Sequence, residues 1–576
     1  MMQKLKLESP WVIALLALLF FVPFLGQTHL FDWDEINFAE SAREMLVSGN
    51  YLRVQVDFQP FWEKPPLFIW LQALSMRVFG INEFAARFPN AVAGLLTLLT
   101  FYFIGKRLID SRFGFLWALA YLGSVTPHLY FKSGIIDPWF NYFMFLSVVC
   151  LVPNKIAWPY FWAGVFAGLA VWTKGPVGVG IPTLTLAVYW ALNRFRPIIS
   201  WKNLLIYAAT AGLLTLGWML AIILESGWAT FLAFLQYLYR LGATSEADHG
   251  QPFYYHFVVV LIGCFPISVI GLKAVFNWRM KNGEQKMENG EQRMEKVERR
   301  MENGVLGTRH SLLGTPYATI MFCLFWVVMI VFSIVKTKIV HYSSMAYFPL
   351  SFLAALWLYR WLKAEISWPR WMTVLLLIVG GILALILTLV PIIGMNPAVF
   401  IPYIDDKFVV GNLQAPVLWG GYEWFFGIAY FVAISVAVFL MNKRKVLFVR
   451  VLFFSTALLM FFYTAVVVPK IEGYTQRTVI DFYESKRGQE VYVWPIGNRS
   501  YAQFFYFKKP MGVRPEASDE NWLLNGPVDR PTFLISRIDR ADSYYKNPNL
   551  ELIKEENGFV FFRRKPDYQQ ISESLK

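Results

Sequence analysis

Two adjacent carboxylates, Asp34 and Glu35, are the first residues that could do chemistry, and they lie in a long polar stretch between two apolar segments. Apolar residues follow from Phe38 at i, i+4, i+7 and i+8, which predicts one apolar helix face that ends at Gly49-Asn50. A carboxylate placed in this way could accept a proton as a general base. Helix capping is an equally good interpretation, because Asp32 with Glu35 fits a capping box.

An acid and a base lie next to each other further along, in Trp62-Glu63-Lys64-Pro65-Pro66. The two prolines restrict the backbone around them, so they hold Glu63 and Lys64 in a fixed arrangement before the next helix. An ordinary surface ion pair contributes only about 0–1 kcal/mol and does not need such rigidity. We therefore predict that this pair belongs to a functional site.

Further charged groups recur at the ends of apolar runs. They are Asp137 before Pro138, Lys174 on a Gly-Pro turn, His249 in the loop Glu246 to Gln251, and Lys336 and Lys338 before His341 and Tyr342. Each one alone is explained by a side chain that reaches the lipid headgroups, or by an ordinary loop histidine. Together they gather on one predicted side of a membrane, where a bound phosphate and an acid–base pair would need them.

The composition is that of a polytopic membrane protein. Of the 576 residues, 56% are hydrophobic and 16% are charged, against roughly 25% charged residues in soluble domains. The net charge of +14 comes from basic residues in short loops, which argues against nucleic acid as a partner. Cys150, Cys264 and Cys323 all lie in apolar runs and are predicted to be inert packing residues.

The apolar runs predict about thirteen spans, each near the length that crosses a bilayer core. The predicted spans are approximately Pro10–Gly26, Phe88–Ile104, Phe113–Tyr130, Pro138–Val152, Pro159–Trp172, Val177–Leu192, Leu204–Leu224, Phe253–Val275, Pro316–Val335, Tyr342–Trp361, Trp371–Ile393, Trp419–Leu440 and Leu447–Val468. The basic loops between them predict an N-terminus inside, and an odd number of spans then places the C-terminus outside.

The spans divide the chain into two predicted domains, a membrane domain over residues 1–468 and an extracytoplasmic α/β or α+β domain over residues 469–576. The long first outer loop, residues 27–87, contains two helices that are predicted to lie on the membrane surface. Residues 276–310 carry a polar heptad repeat without a hydrophobic seam, which predicts a solvated linker. In the C-terminal domain, Asn557-Gly558 predicts a β-hairpin turn.

The order of these motifs resembles the bacterial protein-mannosyltransferase-like family. Its members include the transferases that add 4-amino-4-deoxy-L-arabinose to lipid A (ArnT-like). The residues that carry the resemblance are Asp34-Glu35, Glu63-Lys64-Pro65-Pro66, Glu83 to Arg87, Asp137-Pro138, Thr173 to Pro176 and Lys336 to Lys338. The resemblance implies a GT-C glycosyltransferase in the inner membrane with an extracytoplasmic site. It also implies a polyprenyl-phosphate sugar donor and a lipid or protein acceptor.

The resemblance also implies residue roles. Asp34 matches the catalytic acid of the first loop, and Asp137 matches a second essential acid. Glu63 and His249 match a pair that binds a divalent metal ion in the arabinose transferases. Lys64 and Tyr342 match donor-binding groups, whereas Phe61 replaces a tyrosine that those transferases tend to have.

The residue types fit an inverting transfer. Asp34, beside Glu35, would accept the proton of a sugar hydroxyl. Lys64, with Lys174 and one of Lys336 or Lys338, would stabilise a leaving phosphate.

A polytopic transporter or lipid flippase is the alternative. Transporters place ionisable groups near the membrane midplane and often contain repeats. In this chain the charges lie at the ends of the spans, and the hydropathy pattern does not repeat. A receptor or scaffold would leave the charged outer loops unexplained.

Overall fold

The computed structural model describes residues 8–61, 63–152, 157–243, 250–284 and 316–566. Most of the chain forms a helical bundle. Its helices are Pro10–Phe21, Glu83–Leu108, Ser111–Leu122, Val125–Tyr130, Asp137–Leu151, Pro159–Lys174, Val177–Leu192, Trp201–Ser226, Trp228–Ala243, Tyr255–Gly263, Ile267–Glu284, Pro316–Ile334, Tyr347–Leu362, Arg370–Met395, Phe425–Leu440 and Lys445–Val466.

Five helices in the described ranges are long and apolar enough to cross a membrane, and shorter apolar helices accompany them. The prediction of a polytopic helical membrane protein is confirmed in this form. Two predicted spans are each divided into two helices. Phe113–Tyr130 breaks at Gly123, and Phe253–Val275 breaks at Pro266. A proline inside a helix removes one backbone hydrogen bond, which explains the second break.

Polar caps and small residues set the geometry of the bundle. Asn82 accepts a hydrogen bond from the Ala85 amide, and Asp110 accepts one from the Phe113 amide, so each caps the helix that follows it. Gly105 and Gly114 allow these two helices to cross closely, since a Cβ at Gly105 would lie 2.6 Å from the Gly114 Cα.

The first outer loop forms the helices Asp34–Ser48 and Leu67–Phe79, as its periodicity predicts. Gly49 ends the first helix with a φ of 71°, a conformation that suits glycine. Strands β1 (Gln55–Val56) and β2 (Gln59–Pro60) pair between the helices. The capping-box prediction is wrong for Asp32, because its carboxylate accepts hydrogen bonds from the Ser500 hydroxyl and the Tyr501 amide instead.

The C-terminal region contains a four-stranded sheet in the order β3-β4-β6-β5. The strands are β3 (Tyr492–Pro495), β4 (Thr532–Arg537), β5 (Leu550–Glu556) and β6 (Phe559–Arg564), with β3 parallel to β4 and the other pairs antiparallel. Strands β5 and β6 form a hairpin at Asn557-Gly558, where both residues have positive φ.

Short helices surround this sheet and the outer surface of the bundle. They are Pro397–Phe400, Lys407–Leu413, Val468–Thr475, Arg477–Ser485, Ala502–Phe507, Glu520–Asn525 and Asp542–Tyr545, with 3₁₀ turns at Val340–Ala346, Ile401–Tyr403, Pro515–Ser518 and Ile538–Arg540.

The first outer loop and the C-terminal region share one hydrophobic core. Ile36 and Met45 of the first loop helix pack in the same cluster as Tyr483, Phe505 and Phe561. The prediction that this helix lies on the membrane surface stays a prediction. The C-terminal region covers the helix, and most of the helix is buried in protein.

Candidate active site

Two carboxylates meet at the N-termini of two helices. Asp34 begins the helix Asp34–Ser48, and Asp137 begins the helix Asp137–Leu151. The positive end of a helix dipole stabilises a carboxylate in this position. Asp34 retains 29% of its side-chain exposure, whereas Asp137 retains 3%, so Asp34 is the more accessible of the two.

The imidazole of His341 lies between these carboxylates. Its Nε2 is 3.8 Å from an Asp34 oxygen and 3.9 Å from an Asp137 oxygen. Burial lowers the pKa of His341, and the nearby Lys174 and Lys64 lower it further against the opposing effect of the two carboxylates. The lowered pKa favours the neutral imidazole near pH 7.

Lys174 forms an ion pair with Asp137, with 2.6 Å between Nζ and Oδ1. Lys174 is the last residue of the helix Pro159–Lys174, where the helix dipole favours a cation, and Gly175 follows with a φ of 91°. The same ammonium lies 5.0 Å from the centre of the Tyr342 ring. The helix end before Gly175 thus places Lys174 beside Asp137, and Tyr342 of the 3₁₀ segment Val340–Ala346 packs against the same ammonium.

Lys64 reaches the same cluster from the first outer loop. Burial lowers its pKa, but Asp34, Tyr342 and Glu63 together raise the pKa above its usual value, so Lys64 is a fixed cation. Its neighbour Glu63 has a raised pKa because of burial.

Glu35 has a different environment from its neighbour Asp34. Its two oxygens accept hydrogen bonds from Arg87 at 3.0 and 2.8 Å, and they also accept the Phe31 and Gly134 amides. Burial raises the pKa of Glu35, but the Arg87 guanidinium outweighs it and holds that pKa below its usual value. The geometry makes Glu35 an anchor for the loop, and it leaves no oxygen of Glu35 facing the cluster as a proton acceptor.

The surroundings of Glu63 contain charges of both signs. Its carboxylate is hydrogen-bonded to Tyr237 and lies near Asp34 and the cations Lys64 and Arg240. The divalent metal ion predicted at Glu63 and His249 stays a prediction. His249, the other predicted ligand, lies outside the described residues.

The remaining predicted cations point elsewhere in the described part of the chain. Lys338 donates from Nζ to the Val335 carbonyl at 2.8 Å, and Lys336 is exposed. His341 and Arg87 were not predicted as site residues, although both occur in quoted motifs. Only the folded chain brings His341 between two carboxylates that are far away in sequence.

An apolar cavity begins at Lys64. Its walls include Phe61, Trp70, Trp172 and Trp218. Arg53 also lines it, and the buried Nε of Arg53 has no hydrogen-bond partner among the described residues. The cavity therefore combines cationic groups with a wall that suits a hydrocarbon chain.

Known proteins resemble this chain in sequence. A family model described as dolichyl-phosphate-mannose-protein mannosyltransferase matches residues 63–220. The chain is 26% identical over 371 residues to the undecaprenyl phosphate-alpha-4-amino-4-deoxy-L-arabinose arabinosyl transferase of Pectobacterium atrosepticum, over 62% of this chain and 59% of the relative. A Pseudomonas fluorescens relative with the same description is 29% identical over 47% of this chain and 50% of its own. The chain spans about half the length of the curated relatives it matches.

Solved structures match over almost the whole length. The crystal structure of ArnT from Cupriavidus metallidurans bound to undecaprenyl phosphate has a TM-score of 0.74 at 17% identity, over 98% of this chain and 99% of that one. The apo structure of the same protein has a TM-score of 0.72 at 18% identity. At this identity the likeness shows the fold. The resemblance predicted from the sequence motifs is confirmed, and the fold is that of an ArnT-like GT-C protein.

Proposed function

We propose that this protein is an inverting glycosyltransferase that moves a sugar from a polyprenyl-phosphate donor to a hydroxyl group of a lipid resembling lipid A. The observation that carries the proposal is the convergence of Asp34, Asp137 and His341 with Lys64 and Lys174 beside an apolar cavity. Such a cluster contains a proton acceptor, fixed cations and a space for hydrocarbon, which are the three requirements of this reaction.

Asp34 is the proposed general base. A sugar hydroxyl is a weak nucleophile, so a carboxylate must accept its proton as it attacks. Asp34 keeps the exposure that an incoming hydroxyl requires, whereas both oxygens of Glu35 are occupied by hydrogen bonds. The ion pair with Lys174 gives Asp137 a different role, in which it positions that cation and His341.

Lys64 is the proposed partner of the leaving phosphate. Negative charge develops on the phosphate as its bond to the sugar breaks, and a fixed cation stabilises that charge. Lys64 lies where the cavity meets the carboxylates, so a phosphate beside it would leave the polyprenyl chain against the tryptophan-lined wall. The unpartnered Nε of Arg53 offers a second contact for an anion.

One displacement at the anomeric carbon is the simplest path through this site. The hydroxyl attacks while Asp34 accepts its proton, and the polyprenyl phosphate leaves with the electron pair of the broken bond. The anomeric configuration inverts, and no covalent glycosyl-enzyme forms.

The proposal places the site at the outer face of the inner membrane. About thirteen spans with basic cytoplasmic loops would put the first outer loop and residues 469–576 on that side. Their shared core supports a common location, because two segments that pack together must lie on one side of the bilayer.

The test uses the purified full chain in lipid nanodiscs with a synthetic polyprenyl-phosphate sugar and lipid A. We expect a sugar–lipid A adduct by mass spectrometry and release of polyprenyl phosphate. Envelope lipids and glycoproteins from cells with and without the gene identify the natural sugar and acceptor. Movement of the donor across the membrane without any transferred sugar would overturn the proposal in favour of a flippase.

A further inference from the structure

We propose a second site, for a first-row divalent cation such as Zn²⁺, where the first outer loop meets the C-terminal region. One ligand atom each from His29, Asp481 and Glu484 lies within 4.8 Å of the other two. This site shares no residue with the Asp34–Asp137 cluster or with the predicted Glu63–His249 pair. It is independent of the glycosyltransferase proposal.

His29 makes the kind of outer hydrogen bond that metal-binding histidines usually make. Its Nδ1 lies 2.9 Å from an oxygen of Glu472, whose side chain is fully buried. The other oxygen of Glu472 accepts hydrogen bonds from Arg477, so the carboxylate is fixed. A histidine that donates Nδ1–H to a carboxylate carries its lone pair on Nε2, and metal-binding histidines usually make this outer hydrogen bond. We assign Nε2 of His29 as the metal ligand.

Asp481 and Glu484 supply the two oxygen ligands from one face of a helix. They are three residues apart in the helix Arg477–Ser485, a spacing that places side chains side by side. Glu472, which binds His29, brings a third carboxylate to the same cluster. A bound cation would relieve this accumulation of negative charge.

Three cations lie near the cluster. Arg477 is paired with the buried Glu472, and Arg487 binds Oε1 of Glu484 at 2.8 Å. Lys508 lies near Glu484 and Glu83. The four carboxylates of Glu472, Asp481, Glu484 and Glu83 still outnumber these three cations. Arg487 leaves the second oxygen of Glu484 for the metal.

The donor set selects the class of metal ion. One imidazole nitrogen with two carboxylate oxygens suits zinc and its first-row neighbours, whereas Mg²⁺ and Ca²⁺ prefer oxygen ligands alone. Metal–ligand distances of about 2.0–2.2 Å require the three ligand atoms to approach more closely than 4.8 Å. Asp481 and Glu484 are exposed side chains, so rotation about their own bonds can close this gap.

The test measures Zn²⁺ binding to the metal-free full chain in detergent by calorimetry, with retained metal measured by mass spectrometry. We expect one Zn²⁺ per chain that raises the melting temperature. Asp481→Asn should weaken binding by at least about 10-fold while the protein still folds, because Asp481 lies at the surface. Glu472→Gln, which changes the outer hydrogen bond of His29, should weaken it by about 10–100-fold.

Two controls separate this site from other metal binding. Glu551→Gln alters an exposed carboxylate on β5 and should bind Zn²⁺ as the wild type does. Glu63→Gln should do the same, because the proposed site does not include Glu63. Equal Zn²⁺ affinity in the wild type and Asp481→Asn would overturn the proposal. A wild-type chain that binds no Zn²⁺ would also overturn it, and so would loss of Zn²⁺ binding in the Glu63→Gln variant.

Discussion

His341 has the most unusual position of any residue in the candidate site. A neutral imidazole between two carboxylates can accept a proton that Asp34 has taken from a substrate. Its distances of 3.8 and 3.9 Å are longer than hydrogen bonds. Catalytic hydrogen bonds are often long in a ligand-free site and shorten when the substrate binds.

Asp34→Asn should reduce transfer by about 10²–10⁴-fold, the usual contribution of a positioned general base. Asparagine keeps the shape of the side chain but cannot accept the proton, so donor binding should change little. Transfer by the purified variant and its melting temperature are the two measurements. If Asp34 only stabilised the helix, Asp34→Asn would retain near wild-type turnover and Asp34→Ala would lose about 0.5–2 kcal/mol of stability.

Lys64→Ala should weaken donor binding and slow transfer together, because a cation beside the phosphate contacts both the bound donor and the leaving group. Donor titration and single-turnover rates separate the two effects. Lys106→Ala, at an exposed lysine in the last turn of the helix Glu83–Leu108, is the matched control and should leave both values unchanged. Unchanged donor affinity in Lys64→Ala would contradict the assigned contact.

His341→Gln should reduce kcat less than Asp34→Asn does, and it should change the shape of the pH profile. The pKa of His341 is lowered, so the wild-type imidazole gains a proton only as the pH falls below its usual range. Protonation of His341 at acid pH should lower kcat in the wild type. Glutamine does not titrate, so this decline should be absent from the variant. A variant with the wild-type pH profile would show that His341 takes no part in proton transfer.

The sequence predicted part of this site for a physical reason. Asp34 and Lys64 could be identified because the long outer loop places a carboxylate at a helix start and an acid–base pair before two prolines. Asp137 and Lys174 could be identified because charged groups recur on one predicted side of the membrane. The pairing of Lys174 with Asp137 and the position of His341 depend on helix packing, which hydropathy does not encode. Asp34 and Glu35 are neighbours in sequence, but only the contact with Arg87 distinguishes their environments.

At the scale of elements, the helix Asp34–Ser48 carries a buried charged cluster. Arg43 donates to both oxygens of Glu40 at 2.7 and 2.6 Å, and Glu44 accepts the Phe58 amide. Burial and the neighbouring Glu40 raise the pKa of Glu44 to about 9. The folded protein therefore keeps a proton that the unfolded chain releases near Glu's ordinary pKa of about 4.3. This contribution to stability is complete at acid pH and declines as the pH rises between these values.

Glu44→Gln should raise the melting temperature relative to the wild type near pH 8, with little difference at about pH 4. The amide of glutamine can replace the protonated carboxyl by accepting from Phe58 and donating to Glu40. Thermal unfolding in the same detergent at several pH values is the measurement. Glu516→Gln, at an exposed position, is the control and should show no such trend. A constant difference across the pH range would refute a raised pKa as the cause.

The ends of helices and strands could be predicted where a local residue pattern determines the backbone conformation. The glycine at position 49 ended the first loop helix as predicted, and Asn557-Gly558 formed its turn. The predictions were incomplete where a feature depends on contacts between residues that are far apart in sequence. The helix Asp34–Ser48 was predicted to have one apolar face, but its charged side chains are also buried, because the C-terminal region supplies partners such as the Lys509 carbonyl for Arg43.

At the scale of the whole molecule, the basic loops and the shared core favour an external C-terminus. A phosphatase fused after Lys576 should be active, since this reporter functions only outside the cytoplasm. The same reporter inserted after Lys443, in a predicted cytoplasmic loop, should be inactive. A cytoplasmic C-terminus would contradict about thirteen spans and would place Asp34 on the wrong side.

The contact between the first loop and the C-terminal region also has a consequence for biosynthesis. The Leu30 amide donates to the Tyr506 hydroxyl at 2.6 Å, and the Leu30 carbonyl accepts from Gln476 at 2.8 Å. A ribosome makes the partners of Leu30 more than four hundred residues later than Leu30 itself. The segment that precedes Asp34 therefore lacks its final contacts until almost the entire chain has been synthesised. Truncated or stalled products would contain Asp34 and Lys64 but would lack the packing that fixes them, so the proposed transfer of a lipid-linked sugar would require a nearly complete chain.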